Sequence, residues 1–225
     1  MTFEDFMNIV RKEFPELSEE QSGRFRKMDG LYREWNSRIN VISRKDIDAF
    51  YEHHVLHSLA IAAYWLREGL VPDWSFSVLD VGTGGGFPGI PLAVMFPQAR
   101  FTLCDSIGKK TLVAGETAKA LGLENVTVVN ARAESLPDRY DYVVSRAVTT
   151  LDNFYPWVKD RFRGSIFYLK GGDVNAEIAQ LMGRFRLKKG SVRTWRIDNW
   201  LKEEYFEEKF VIQIEKDYLC GPIVE

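Results

Sequence analysis

The stretch VLDVGTGGGFPG at residues 78–89 places five glycines and a proline directly after an apolar run. Glycine reaches φ > 0 and lets backbone approach a ligand with no Cβ in the way, so such a loop between a strand and a helix suits a nucleotide-like molecule. Three nucleotide loops compete for it. A P-loop needs Lys and then Ser or Thr after its last glycine, and Gly89 is followed by Ile90, which excludes that reading. A dinucleotide fingerprint can be matched as Gly84-x-Gly86-x-x-Gly89, but it is displaced, because the strand already ends at Gly82. An S-adenosylmethionine loop carries an acidic residue two positions before its first glycine. Asp80-Val81-Gly82-Thr83-Gly84 fits that pattern without displacement.

The next strands supply matching chemistry. FTLCDS ends a second strand on Asp105, where a carboxylate can accept hydrogen bonds from both hydroxyls of a ribose. NARAES, after a third strand, sets Ala133 and Glu134 where an adenine would lie beside backbone amides. Ligands of open parallel sheets sit beyond the carboxyl ends of the strands, so three strand ends converge on one adenosine. The fourth strand narrows the acceptor. Methylation of an exocyclic amine calls for a polar-Pro-Pro-aromatic element, and VVSRAV (143–148) stands there instead. Methylation of a pyrimidine carbon calls for a nucleophilic cysteine nearby. Cys104 lies on the second strand and Cys220 in the tail, and they read as a buried core thiol and an incidental one. A ring nitrogen such as guanine N7 needs neither device. It attacks a sulfonium methyl with an exposed lone pair, and catalysis reduces to positioning and electrostatic accommodation. Arg146 is the candidate for that role, on a phosphate, a carboxylate or guanine O6, with a salt bridge to Glu134 or Asp141 as its bland alternative.

The elements that must hold these residues follow from periodicity. Residues 1–70 read as a helical extension. Phe3, Phe6, Met7 and Val10 make one apolar stripe, and Ser18 with Gln21 forms a capping box before a stripe of Phe25, Met28, Leu31/Tyr32 and Trp35. A third helix is expected from Ser43 or Asp46, carrying Ile47, Phe50, His54/Val55 and Leu59, with Gly69 as its stop. After Pro72 the texture changes, and residues 71–225 read as the catalytic core. Strands are expected at Ser77–Val81, Arg100–Cys104, Val126–Asn130, Tyr142–Ser145 and Ser165–Leu169, with helices at Ile90–Phe96, Lys109–Leu121 and Leu151–Arg161 between them. A helix at Asn175–Phe185 and strands at Val192–Ile197 and Phe206–Ile214, paired antiparallel at one edge, complete the chain. The expectation is an α/β, Rossmann-like, mostly parallel seven-stranded sheet with helices on both faces.

Apolar residues make up 45% and charged residues 28% of the 225, enough for a full core. Glu4 and Asp5 directly after the start argue against a signal peptide, and Val55–Leu66 is too short and polar to span a membrane, so a cytoplasmic protein is expected. The net charge of −2 hides a polarised distribution. Arg24, Arg26, Lys27, Arg33, Arg38, Arg44 and Lys45 face only Asp29 and Glu34 in their segment. They either solvate helix faces or track a nucleic-acid backbone, with Arg26 and Arg33 the best-aligned pair; failing them, the contact surface belongs around Lys109, Arg132 and Arg146. His53 and His57 share a helical spacing, but no third ligand accompanies them, and no metal is expected.

YREWNSRINVISRKD (32–46), HVLHSLAI (54–61), VLDVGTGGGFPGIPLA (78–93), LCDSIGKK (103–110), ARAE (131–134), VVSRAV (143–148) and LKGG (169–172) together resemble the small-subunit ribosomal RNA guanine-N7 methyltransferase G family, long called glucose-inhibited division protein B. The resemblance covers nearly the whole chain, and Trp35, Asn36 and Asn40 are its most specific residues. It implies a class I S-adenosylmethionine-dependent methyltransferase, a monomer, acting on 16S ribosomal RNA or a small-subunit assembly intermediate. Cofactor contacts would fall on Gly82, Gly84, Phe87, Asp105, Ala133, Glu134 and Arg146. The family usually has Leu-Asp-Ser-Leu where this chain has Leu56-His57-Ser58-Leu59, so no role for that carboxylate carries over. Asn36 and Asn40 fit either a turn closing the second helix or a ligand contact. Two alternatives stand beside this reading: a small-molecule methyltransferase, and a noncatalytic RNA-binding assembly factor on the same fold.

Overall fold

A computed structural model describes residues 1–43, 45–71, 75–146 and 148–216. Seven strands form one sheet in the order β3-β2-β1-β4-β5-β7-β6. They are β1 (Ser77–Val81), β2 (Arg100–Asp105), β3 (Val126–Asn130), β4 (Tyr140–Arg146), β5 (Phe162–Gly171), β6 (Val192–Arg196) and β7 (Lys209–Glu215). All neighbours from β3 to β5 are parallel, and β7 runs antiparallel between β5 and β6. The strand order therefore reverses between β1 and β4, and the crevice beyond their carboxyl ends is where such sheets bind ligands.

Seven α-helices cover the two faces: α1 (Phe3–Glu13), α2 (Glu19–Asn36), α3 (His57–Arg67), α4 (Gly89–Met95), α5 (Gly108–Ala120), α6 (Leu151–Val158) and α7 (Asn175–Phe185). Alternation along β1 feeds both layers. Val78 joins the core that α1 to α5 build on one face, whereas Leu79 and Val81 join the one under α6 and α7. The first core is continuous from Phe6 and Phe25 through Leu59 and Trp65 to Phe101, so the helical extension shares its packing with the sheet.

Several element boundaries depart from the sequence expectations for visible reasons. The third helix does not start as one: residues Ile47–Ala49 form a 3₁₀ turn and Tyr51–Leu56 a π-helical turn before α3 begins at His57. Asp46 stands at the cap of the 3₁₀ turn without a side-chain capping bond, and Ser43 closes the turn before it, its hydroxyl accepting the Asp46 N–H at 3.2 Å. Gly69 does stop α3, at φ 63°, where the Gly69 N–H bonds the Leu66 carbonyl and the Leu70 N–H the Trp65 carbonyl. The sixth helix ends three residues early, at Val158. The last strand starts at Lys209 rather than Phe206, after a 3₁₀ turn at Glu204–Phe206 and a left-handed Glu208. Strand β4 begins two residues early and runs on to include Arg146, while β5, flanked on both sides, is longer at each end.

Helix α2 is tied to the sheet and its covering helices by side chains that meet backbone. Gln21 donates to the Val94 and Met95 carbonyls at the end of α4 (2.9 and 3.0 Å), and Arg24 donates to the Gly122 carbonyl at 3.0 Å. The Tyr32 hydroxyl, fully buried, donates to the Gly85 carbonyl at 2.8 Å. Burial holds that phenol above its ordinary titration range, so it remains a donor. Tyr32→Phe should cost about 1–3 kcal/mol in chemical denaturation, the penalty of leaving a buried carbonyl unsatisfied. Arg26→Ala removes an exposed ion pair with Glu4 and should cost less than about 1 kcal/mol. Equal losses in the two variants would mean that the α2–loop bond contributes nothing.

Candidate active site

The loop between β1 and α4 is shaped by two carboxylates. Asp80, fully buried, accepts the Thr83 hydroxyl at 2.6 Å and the Gly89 N–H at 2.8 Å, both on Oδ2. This single oxygen closes the turn and fixes the first N–H of α4. A Cβ on Gly89 would stand 2.7 Å from it, which is why glycine occupies that position. Asp80 Oδ1 is buried with no partner among the described residues. Burial pushes Asp80 up to about 7, against the pull of the Thr83 and Gly89 hydrogen bonds.

Asp105 ends β2 and reaches back to the same loop. Its Oδ2 accepts the Gly84 N–H and its Oδ1 the Ile107 N–H, each at 2.9 Å. Gly84 holds φ 58°, and a Cβ there would meet no protein atom within 4 Å. A cleft of about 470 Å³ opens beside these groups, lined among others by Gly82, Asp105, Ala133, Glu134 and Arg146. The structure thus gathers five of the seven expected contact residues on one wall. Gly84 joins them through its N–H on Asp105. Phe87 does not: its ring is buried behind Arg146, packed on Tyr32 (centroids 4.8 Å apart) and His54 (5.2 Å). Ile107 and Lys110, from the LCDSIGKK stretch, and Arg132, from ARAE, also line the cleft, whereas Trp157 on α6 is a lining residue that carried no sequence signal. Cys104 also faces this wall, but burial raises its thiol to about 11 and its Sγ donates to the Ala131 carbonyl, so it is no nucleophile. Cys220 lies outside the described residues.

Arg146, at the end of β4, is partly buried and pairs with neither Glu134 nor Asp141. Its Nη1 donates to the His53 carbonyl at 3.1 Å, its Nη2 lies 3.0 Å from His54 Nδ1, and its guanidinium carbon stands 5.2 Å from the Phe87 ring centre. Asp141 instead binds Ser77 and Arg163. The loop after β4 is held from β5: the Tyr168 hydroxyl accepts the Val148 and Thr149 N–H groups and donates to the Thr149 carbonyl. Burial, and then the Arg146 charge, depress His54 to about 3 and hold His57 well below its ordinary value. His53 stacks on Tyr205 with Nδ1 on Asp46, and His57 Nδ1 meets the Tyr205 hydroxyl. No cluster of three metal-ligating side chains occurs among the described residues.

Asn36 closes a turn. Its Oδ1 accepts the Val41 and Ile42 N–H groups and its amide donates to the Ile42 carbonyl, each at 2.9 Å. That turn sets Val41 against Gly85 in the loop, while Asn40 is exposed. The basic segment is largely neutralised from within. Arg24 pairs with Glu20, Arg26 with Glu4, Arg33 with Asp29 and Asp48, and Arg38 with Glu34. Arg44 lies outside the described residues.

Asp80 gives a stability prediction with a definite sign. Its folded value is raised from 3.8 to about 7, so its contribution is full below 3.8 and is lost as pH rises through 7. The melting-temperature advantage of the wild type over Asp80→Asn should therefore shrink between pH 4.5 and pH 8. A constant advantage would mean that Asp80 ionises as it does in the unfolded chain, and a growing one that folding depresses rather than raises it; either would contradict the burial effect.

Comparison with known proteins agrees with this geometry. Among solved structures, the fold matches a magnesium protoporphyrin IX methyltransferase from Synechocystis with bound SAM (TM-score 0.59, 16% identity, 94% of this chain and 97% of the other). It also matches a 16S rRNA N2 methyltransferase from T. thermophilus in complex with AdoMet and guanosine (TM-score 0.53, 19% identity, 80% and 44%). Curated relatives named ribosomal RNA small subunit methyltransferase G are far more similar: 41% identity in Christiangramia forsetii (94% of this chain, 98% of the relative) and 46% in Porphyromonas gingivalis (92% of each). The family model described as rRNA small subunit methyltransferase G matches residues 24–198. The chain belongs to the rRNA small subunit methyltransferase G family.

Proposed function

We propose that the chain transfers the methyl group of S-adenosylmethionine to N7 of a guanine in 16S ribosomal RNA, and that residues 1–70 act as an extension that shapes the cofactor loop. The observation that carries this is the convergence of Gly82, Asp105, Ala133, Glu134 and Arg146 on one cleft at the β1/β4 switch point. The cleft suits the cofactor. Its volume lies within the range of small-molecule pockets, roughly 300–1,000 Å³. Asp105 lies at its floor with each oxygen holding one amide, leaving lone pairs for a ribose diol.

The cofactor supplies an electrophilic sulfonium methyl, and the protein's work is to place it. A ring nitrogen loses no proton when it attacks, so no general base is required, and none is found at the end of β4 among the described residues. Ser145 there is fully buried and donates to the Val81 carbonyl. Arg146 is the group available to hold an anionic or carbonyl oxygen at the cleft mouth, and Phe87 serves from behind it. His54 and His57, both neutral, offer no proton acceptor matched to this step.

The RNA surface is assigned to cations near the cleft that have no carboxylate partner among the described residues. Lys109 and Arg132 are exposed beside the cleft, with Lys110 on its wall and the apolar Ile107, Leu112 and Val148 around them. Arg26 and Arg33 are already compensated, which removes most of their counterion release. Tritiated methyl transfer onto 16S RNA, naked and in small subunits, followed by nucleoside analysis, tests the function. We expect 7-methylguanosine; a different methylated nucleoside, or none on either substrate, would reject it. In RNA binding, Lys109→Ala/Arg132→Ala should flatten the plot of log K against log salt by roughly 0.7–0.9 per lost phosphate contact, and Arg26→Ala/Arg33→Ala should not. The opposite pattern would return the footprint to α2.

A further inference from the structure

His54 belongs to the π-helical turn Tyr51–Leu56, a rare geometry that recurs at functional sites. The turn brings two successive residues to one guanidinium. The His53 carbonyl accepts from Arg146 Nη1 at 3.1 Å, and His54 Nδ1 lies 3.0 Å from Nη2. A guanidinium has donors only, so this contact requires a lone pair on Nδ1 and places the imidazole proton on Nε2. Nε2 is itself buried without a partner among the described residues. An unsatisfied buried donor destabilises the fold, and an apolar ring of similar shape would avoid it. The imidazole therefore needs another reason to be there, and the Nδ1 acceptor supplies one. Asp46 and His53 from its own segment, Arg146 from β4 and the rings of Phe50 and Phe87 are the groups around it.

We infer that His54 is a positioning residue for Arg146: its Nδ1 lone pair, with the His53 carbonyl, fixes the guanidinium over Phe87 at the cleft wall. The neutral ring is suited to this, since a protonated one would set two cations together and lose the bond. Tyr205 braces the same turn from the loop before β7, its ring 3.7 Å from the His53 ring and its hydroxyl on the His53 carbonyl and His57 Nδ1.

The inference rests on the proposed methyl transfer for its kinetic readout, so the test has two arms. His54→Asn keeps an acceptor at the Nδ1 position, whereas His54→Gln moves it one bond outward. We expect methyl transfer by the Asn variant within about threefold of wild type and by the Gln variant at least about tenfold lower, as for a lost charge-assisted hydrogen bond. Equal activities would overturn the inference. In an Arg146→Ala background both substitutions should have no further effect, and additive losses would show a merely structural role. Nitrogen-15 NMR of the histidine rings in the wild-type protein reads the contact without activity. A neutral, Nε2-protonated His54 from pH 8 to pH 5 is expected, and an Nδ1-protonated ring or an imidazolium would overturn the inference. Wild-type protein with the expected tautomer but no methyl transfer would reject the proposed function and leave the contact standing.

Discussion

One buried oxygen holds the site together. Asp80 Oδ2 receives both the Thr83 hydroxyl and the Gly89 N–H in a core that excludes water, so the turn after β1 and the start of α4 are fixed by the same atom. A carboxylate in such surroundings is costly unless hydrogen bonds compensate it. Here the compensation is the loop geometry itself. With Asp80 in place, Gly84 falls within reach of Asp105, which ties the end of β2 to the loop after β1. The rest of the molecule is arranged to keep that loop from relaxing.

The helical extension does this from outside. Tyr32 holds the Gly85 carbonyl, and the turn closed by Asn36 presses Val41 against the same glycine. The π-helical turn then reaches across to Arg146. Three neighbouring segments between Tyr32 and Leu56 thus constrain one seven-residue loop and one arginine. Charge follows a similar economy. The arginines of α2 pair with the protein's own carboxylates, while Lys109, Lys110 and Arg132 at the cleft have no such partner among the described residues.

Much of this is legible in the sequence where a local rule applies. Strands β1 and β3 and helix α7 coincide with their expected limits, because short Val-rich runs bounded by turn residues in the strands, and the Ile178, Leu181 and Phe185 stripe at helical spacing in α7, leave little choice. The loop is legible because Asp80 and the glycines sit at fixed offsets. The π-helical turn is not: its sequence carries the ordinary 3.6-residue stripe, and only tertiary contact with Arg146 and Phe87 distinguishes it. The i,i+4 pairs Arg24–Glu20 and Arg33–Asp29 follow a local rule, but the pairing of Arg26 with Glu4 and of Arg33 with Asp48 is hidden, since those partners lie far off in sequence. A count of like charges in a segment cannot see partners that folding brings in. Phe87 shows the same limit from the other side: its motif position does not reveal that its ring packs on Tyr32, His54 and the Arg146 guanidinium.

If the Asp80-shaped loop and Asp105 make a single cofactor-binding unit, S-adenosylmethionine affinity must depend on the Asp105 carboxylate. Calorimetric titration of S-adenosylmethionine into wild type and Asp105→Asn tests it most directly, with melting temperatures measured in parallel. Asparagine keeps one oxygen for a backbone amide but loses the charge and the second acceptor. The account predicts binding weakened roughly tenfold or more, in line with about 1.5–3 kcal/mol for a charge-assisted hydrogen bond, at a nearly unchanged melting temperature. Unchanged affinity in the folded variant would contradict it and place the cofactor away from this edge of the sheet.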